Sequence, residues 1–163
     1  MTARRQENSR RLFRACFRAR PLAPATQWML AADGSALNRC RVCLGSAQGF
    51  LQLQGKQFAG VAEALRDGAL DAAKLEAPER LLLEFVGTIS KHAYRVTDEQ
   101  VQGLREVGWT DEQIAEAAYV AALFSLFVRL ADTVGIEPPP AYEPAGIPKT
   151  VTRGEPDVRG AGG

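Results

Sequence analysis

The chain has 163 residues, with 20 basic and 19 acidic side chains. Hydrophobic residues make up 46% and charged residues 24%, which excludes whole-chain disorder and a disulfide-dense scaffold, and the length predicts one domain. The charge is uneven, because residues 1–20 carry seven arginines and one glutamate while the remainder carries 13 basic and 18 acidic residues. Such a basic arm suits an anionic partner, but the whole chain is not basic enough for a dedicated nucleic-acid binder. We therefore expect no nucleic-acid partner.

The first predicted helix covers residues 9–19 and follows a basic arm over residues 1–8. Its apolar face, formed by Leu12, Phe13, Cys16 and Phe17, is expected to dock on the core. Arginines interrupt the apolar residues, so this start is not a secretory signal, although an Arg-rich, acid-poor segment also resembles a transit peptide. With no secretory signal, an odd count of three cysteines favours a reducing compartment, and we expect a cytoplasmic protein.

Four further helical segments are expected in chain order: residues 22–37, 38–53, 56–66 and 78–94. The first is weak and interrupted near Asp33-Gly34, and Asn38 is expected to cap the second, which carries a cysteine pair near its start. Gly68 closes the third segment, and Pro78 in a first-turn position opens the fourth.

Two Thr-Asp-Glu-Gln segments, at residues 97–100 and 110–113, have the pattern of a capping box. They predict a short helix that ends at Gly108 and a long helix over residues 111–134 that ends at Gly135. The long helix is apolar almost all round, which indicates burial in the core or against a second subunit. Its apolar run, residues 117–128, is shorter than the roughly 20 residues that span a bilayer, so we expect no transmembrane segment. No strand-like alternation appears, and the predicted fold class is all-α.

The composition changes after residue 136. Six prolines and several glycines fall between residue 137 and the end of the chain at residue 163. Such a segment buries too little apolar surface to fold alone, so we expect an extended tail over residues 137–163. The helical domain is then expected over residues 9–136.

Cys40 and Cys43 form a Cys-x-x-Cys pair, the one sharp chemical feature of the sequence. At a helix start the free amides and the helix dipole stabilise a thiolate, and the spacing places both sulfurs on one face, where they can form a disulfide. The flanking Arg39 and Arg41 would add to the stabilisation. The residues alone leave two interpretations open, a redox-active pair and two structurally buried cysteines.

A zinc site is a weaker interpretation of the pair. A structural zinc site usually takes four Cys or His ligands, and the only other candidates are Cys16 and the single histidine, His92. His92 falls in the last turn of a predicted helix, where a surface position would complement the dipole. We therefore expect no metal and no cofactor.

Several segments together resemble the AhpD-like / carboxymuconolactone decarboxylase superfamily, in its peroxidase-related branch. The matching segments are Leu-Asn-Arg-Cys-Arg-Val-Cys at 37–43, Arg-Leu-Leu-Leu-Glu-Phe at 80–85, the Val-Thr-Asp-Glu start of residues 96–109, and residues 111–114 and 121–131. The resemblance covers roughly residues 37–136. It implies an all-α, AhpD-like helical domain that forms a homo-oligomer through its helices, as a dimer, trimer or hexamer.

The resemblance also implies roles for the two cysteines. Cys43 would attack a hydroperoxide substrate, Cys40 would resolve the product, and a dithiol reductant would restore the pair. The family's peroxidases add a His four residues after the second cysteine and a Glu about three turns before the first. This chain has Ala47 at the first position, and residues 21–37 offer Gln27 but no Glu.

Three functions follow from these observations. The first is a thiol-dependent alkyl hydroperoxidase-like oxidoreductase in antioxidant defence, with Cys40 and Cys43 as its catalytic residues. The alternative is a non-catalytic oligomeric member of the family that lost the Glu/His proton relay. The third is a binding module whose basic arm contacts an acidic partner or a membrane.

Overall fold

The computed structural model describes residues 21–66 and 73–137. The predicted basic arm, the first helix with Cys16, the turn at Gly68 and residues 138–163 of the predicted tail lie outside these ranges. Within them the chain forms six α-helices: α1 (Pro24–Leu37), α2 (Arg41–Leu53), α3 (Ala59–Arg66), α4 (Ala77–His92), α5 (Asp98–Glu106) and α6 (Asp111–Val134). Short 3-10 turns cover Lys56–Phe58 and Ala93–Arg95. The predicted all-α class is confirmed, and the described residues contain no strand.

Helix α1 is the centre of the domain, packing against α2, α3, α4 and α6. The predicted interruption near Asp33-Gly34 is wrong, because α1 runs without a break to Leu37. Gly34 faces α4, and a Cβ atom at this position would lie 3.6 Å from the Ser90 hydroxyl oxygen. Burial of α1 between four other helices therefore outweighs the low helix propensity of a single glycine.

The connection between α1 and α2 also differs from the prediction. Asn38 does not cap α2 but ends α1, where its side-chain amide donates a 2.7 Å hydrogen bond to the Gly34 carbonyl. Arg39 follows with a φ of 57°, in the left-handed region, and this turns the chain between the two helices. The N-cap of α2 is consequently Cys40.

The two predicted capping boxes are confirmed. The Thr97 hydroxyl accepts from the Gln100 amide at the start of α5, and the Thr110 hydroxyl accepts from the Gln113 amide at the start of α6. In each box the Gln side chain accepts from the backbone amide of the Thr. Helix α6 ends, as predicted, at Gly135, which has a φ of 69°.

Helix α6 contains an 18-residue window with a mean hydropathy of 1.7, so by length and composition it is long and apolar enough to cross a membrane. Half of that window is buried inside the protein, and a single helix of this kind is only weak evidence for a transmembrane segment. The expected absence of a transmembrane segment stays a prediction.

Asp33 is a carboxyl group buried in α1, and burial raises its pKa from an ordinary 3.8 to about 6, with Lys91 pulling the pKa down. The folded pKa of Asp33 lies above its unfolded pKa, so the stability that Asp33 contributes is fully present below pH 3.8 and is lost as the pH rises through about 6. We expect Asp33→Asn, which cannot ionise, to raise the free energy of unfolding by about 2–3 kcal/mol at pH 7 and by much less near pH 4. Urea titrations at the two pH values measure this, with the exposed Glu84→Gln on α4 as the control. An equal gain at both pH values would contradict the assignment.

Candidate functional site

The site is built at the start of α2, where both cysteines belong to the first turn. Cys40 is the N-cap, with extended backbone angles of φ −87° and ψ 105°, and Cys43 is the third residue of the helix. The Cys40 amide donates to the Ser35 carbonyl at 3.0 Å, and the Cys40 carbonyl accepts from the Leu44 amide at 2.9 Å. The backbone of Cys40 is thus held at both ends by α1 and by the first hydrogen bond of α2.

The two thiols differ in burial. Cys40 is fully buried and packs against Val128 and Ala131 near the end of α6. Cys43 is half-buried and lies at the edge of the same small cluster. Both are free thiols. Cys43 is therefore the more accessible residue of the pair.

The two thiols also differ in acidity, because their side chains interact. Hydrogen bonding with the Cys40 thiol lowers the pKa of Cys43, although burial opposes the change. The same interaction, together with burial, raises the pKa of Cys40 far above its ordinary range. Cys43 is therefore the thiol that loses its proton more readily, and Cys40 is the one that keeps it.

A carboxylate lies beside the pair. Asp132, in the last turn of α6, raises the pKa of Cys40 by hydrogen bonding and raises the pKa of Cys43 through its charge. The sequence analysis did not assign Asp132 to the site. A signal was available, because an acidic residue at the C-terminal end of a helix is unfavourable to the dipole and calls for a local reason.

The two arginines that flank Cys40 lie in different environments. Arg39 is exposed, whereas Arg41 is buried and forms an ion pair with Glu137 across 3.4 Å. The largest cause of the lowered Cys43 pKa is the Cys40 thiol rather than either arginine. The Arg41–Glu137 contact nevertheless ties the start of α2 to the residues that follow α6.

The two positions of the family relay have structural roles here. Ala47 is fully buried in the main core. Gln27 donates a 2.6 Å hydrogen bond to the buried Glu116, which also accepts from the Leu22 amide at 2.8 Å. The sequence analysis did not identify Glu116. This residue precedes Asp132 by 16 residues on α6, which corresponds to about 24 Å of helix. It therefore organises the opposite end of the bundle and does not serve the thiols.

Two ring side chains outside the cysteine pair, His92 and Trp28, contact other rings. His92 is exposed at the end of α4, as predicted, with its ring 5.9 Å from that of Tyr94. Trp28 is buried and stacks on Phe50 at 4.5 Å. Among the residues that the structure describes, no group of three or more His, Cys, Asp and Glu side chains could hold a metal ion.

Two solved structures share this fold. An uncharacterized peroxidase-related protein from a Silicibacter species has a TM-score of 0.80 at 20% identity, over 86% of this chain and 73% of that chain. A protein from Ralstonia eutropha, described as an alkylhydroperoxidase AhpD core and an uncharacterized peroxidase-related protein, has a TM-score of 0.77 at 25% identity, over 83% of this chain and 71% of that chain. No protein-family model and no curated protein matches the chain. The predicted resemblance to the AhpD-like fold of peroxidase-related proteins is thus confirmed.

Proposed function

We propose that the chain is a thiol-dependent, alkyl hydroperoxidase-like oxidoreductase that acts in antioxidant defence. The observation that carries this proposal is the unequal pair at the start of α2, in which Cys40 is fully buried and Cys43 is half-buried. The accessible cysteine has the lowered pKa, and the buried cysteine has the raised one. Attack by Cys43 and resolution by Cys40 is the order that this asymmetry supports.

The proposed reaction has two oxidative steps. The Cys43 thiolate attacks the terminal oxygen of a hydroperoxide, the O–O bond breaks, and the alkoxide takes up a proton and leaves as an alcohol. Cys43 is then a sulfenic acid. The Cys40 sulfur attacks it, the S–O bond breaks, and the Cys40 proton leaves with the hydroxyl group as water. The resulting disulfide is returned to two thiols by an external dithiol, which is oxidised in turn.

The experiment is a single turnover of the reduced chain with one equivalent of cumene hydroperoxide. Cys16→Ser is used as the background, so that only the pair can react. We expect loss of two thiols, formation of cumyl alcohol and a disulfide between Cys40 and Cys43, identified by peptide mass spectrometry. If both thiols remain unreacted after prolonged incubation, the proposal is wrong.

One observation favours the non-catalytic alternative. The two relay positions are occupied by a core residue, Ala47, and by Gln27, which is committed to Glu116. A non-catalytic member of the fold would keep the thiols unreactive toward hydroperoxide in the same single-turnover experiment. The two functions are therefore separated by one measurement. For either function, the reducing compartment inferred from the cysteine count supports a cytoplasmic location.

We further propose that the chain is a homo-oligomer that buries one face of α6. Four apolar side chains at helical spacing are about half exposed along this helix: Tyr119 (44%), Leu126 (44%), Leu130 (47%) and Val134 (55%). Residues four or seven apart lie on the same helix face, so these side chains form one apolar stripe. A stripe of this length suits a second copy of the same helix.

Charged substitutions in this stripe are expected to dissociate the oligomer. In Leu126→Glu/Leu130→Glu, association would place two carboxylates per subunit in an apolar contact, where burial of unpaired charge is strongly unfavourable. We expect the mass measured by light scattering after size exclusion to fall from a multiple of 17.7 kDa to a single chain. Tyr94→Glu, at a side chain 79% exposed outside the stripe, is the control and should leave the mass unchanged. A wild-type chain that elutes as a monomer would contradict this proposal.

A further inference from the structure

The last turns of α6 lie directly against the buried cysteine of the pair. Val128 and Ala131 contact Cys40, and the ion pair between Arg41 and Glu137 holds the residues after α6 at the first residue of α2. Asp132 lies between these two contacts in the chain. Its position beside the thiols is therefore set by packing on one side and by an ion pair on the other.

Asp132 lies four residues after Val128 and one after Ala131, on the part of α6 that packs against Cys40. Hydrogen bonding with the Cys43 side chain and with the Asp132 carboxylate raises the pKa of the Cys40 thiol. A thiol carries one proton, so Cys40 can donate to only one acceptor at a time. Cys40 is fully buried, whereas Asp132 is exposed, so the Asp132 carboxylate can link the buried thiol to water.

We propose that Asp132 is the general base for Cys40, taking its proton as the Cys40 sulfur attacks oxidised Cys43. This proposal rests on the proposed function and adds the acid–base group that Ala47 and Gln27 do not supply. In the resolving step the new S–S bond forms as the S–O bond of the sulfenic acid breaks. Asp132 accepts the proton of the Cys40 thiol and passes it to the departing hydroxide, which leaves as water. The carboxylate ends the step in the state in which it began.

The charge of Asp132 also affects how readily Cys40 attacks, in the direction opposite to that of a general base. A carboxylate beside Cys40 disfavours the Cys40 thiolate by repulsion. If Asp132 acted only through its charge, its removal would make Cys40 a faster nucleophile. If it acts as a base, its removal leaves the buried thiol without a proton acceptor and makes Cys40 slower. The direction of the rate change therefore distinguishes a base from a neighbouring charge.

The test is a disulfide-closing reaction that needs no hydroperoxide. In the Cys16→Ser background, reduced chain is mixed with the aromatic disulfide dithiobis(nitrobenzoate). Cys43 attacks the reagent and releases one nitrothiobenzoate, and Cys40 then attacks the mixed disulfide, forming the intramolecular disulfide and releasing a second. The rate of the second release reports proton removal from Cys40. A Cys40→Ser chain, which releases only the first equivalent, identifies the phase.

We expect Asp132→Asn to slow the second release at least about tenfold, because the general base is lost. The first release should not become slower, because removal of the Asp132 charge favours ionisation of Cys43. Asp132→Glu should restore most of the rate. Glu112→Gln, which removes one charge from the same helix 20 residues or about 30 Å away, should have no effect. The asparagine variant should fold, because it removes an exposed negative charge from the unfavourable end of α6.

An unchanged or faster second release in Asp132→Asn would overturn the proposal, as would a failure of Asp132→Glu to recover. These outcomes are independent of the proposed function. If the wild-type chain closes the disulfide with the expected dependence on Asp132 but does not react with cumene hydroperoxide, the proton acceptor stands and the peroxidase function fails. If the wild-type chain consumes hydroperoxide but Asp132→Asn closes the disulfide at the wild-type rate, the peroxidase function stands and the proposed role of Asp132 fails.

Discussion

Cys43→Ser is expected to abolish hydroperoxide consumption. Cys43 is the more acidic thiol of the pair, because hydrogen bonding with the Cys40 thiol lowers its pKa. A serine hydroxyl stays protonated at neutral pH and has no comparable nucleophilicity, so the first step stops. Because the pKa of Cys43 is lowered, the wild-type rate should persist below the ordinary cysteine pKa of about 8.5 and decline only as the pH falls through the lowered value. Hydroperoxide loss, followed with an excess of dithiol, measures the effect.

Cys40→Ser is the matched control for this prediction. It keeps the attacking sulfur, so we expect one equivalent of hydroperoxide to be consumed and Cys43 to accumulate as a sulfenic acid, which dimedone traps. Turnover then stops because no thiol at position 40 remains to resolve the sulfenic acid. Circular dichroism should be unchanged in both variants, since sulfur and oxygen differ little in size. Full activity in Cys43→Ser would show that this cysteine is not the attacking residue.

Glu116→Ala is expected to lower the free energy of unfolding by about 3 kcal/mol. The carboxylate is 5% exposed and accepts hydrogen bonds from the Leu22 amide and from the Gln27 side chain. Hydrogen bonds to a charged acceptor contribute about 1.5–3 kcal/mol each, and both donors would be left buried without this acceptor. Urea denaturation monitored by tryptophan fluorescence measures the loss, with Trp28 as an internal reporter on α1.

Two further variants make this prediction specific. Glu116→Gln keeps an acceptor oxygen and should lose less stability than Glu116→Ala. Glu84→Ala, at an exposed site within α4, should change the free energy of unfolding by no more than about 0.5 kcal/mol. A Glu116→Ala effect no larger than that of Glu84→Ala would show that the buried carboxylate does not hold the start of α1 to α6.

The local signals in this chain predicted the second half of the fold closely. Each capping box holds its partners within four residues, and Gly135 ends α6 by a backbone conformation that other residues adopt only with strain. Such features depend on short-range sterics and hydrogen bonds, which a sequence displays directly. The region around α1 was harder to predict, because its continuity through Gly34 depends on four helices that pack around it. Asn38 carried a cap signal that suits either helix end, and only the packing shows which end it serves.

By itself, the sequence determined the helical class, the helix starts at Thr97 and Thr110, and the pairing of Cys40 with Cys43 near one helix N-terminus. Those depend on periodicity and on spacings of three or four residues. Only the tertiary structure decided which thiol is buried and that Asp132, 92 residues beyond Cys40, acts on the pKa of that thiol. The physical reason is that burial and electrostatics depend on distance in space, and the packing of the end of α6 against the start of α2 places a surface carboxylate beside a buried thiol.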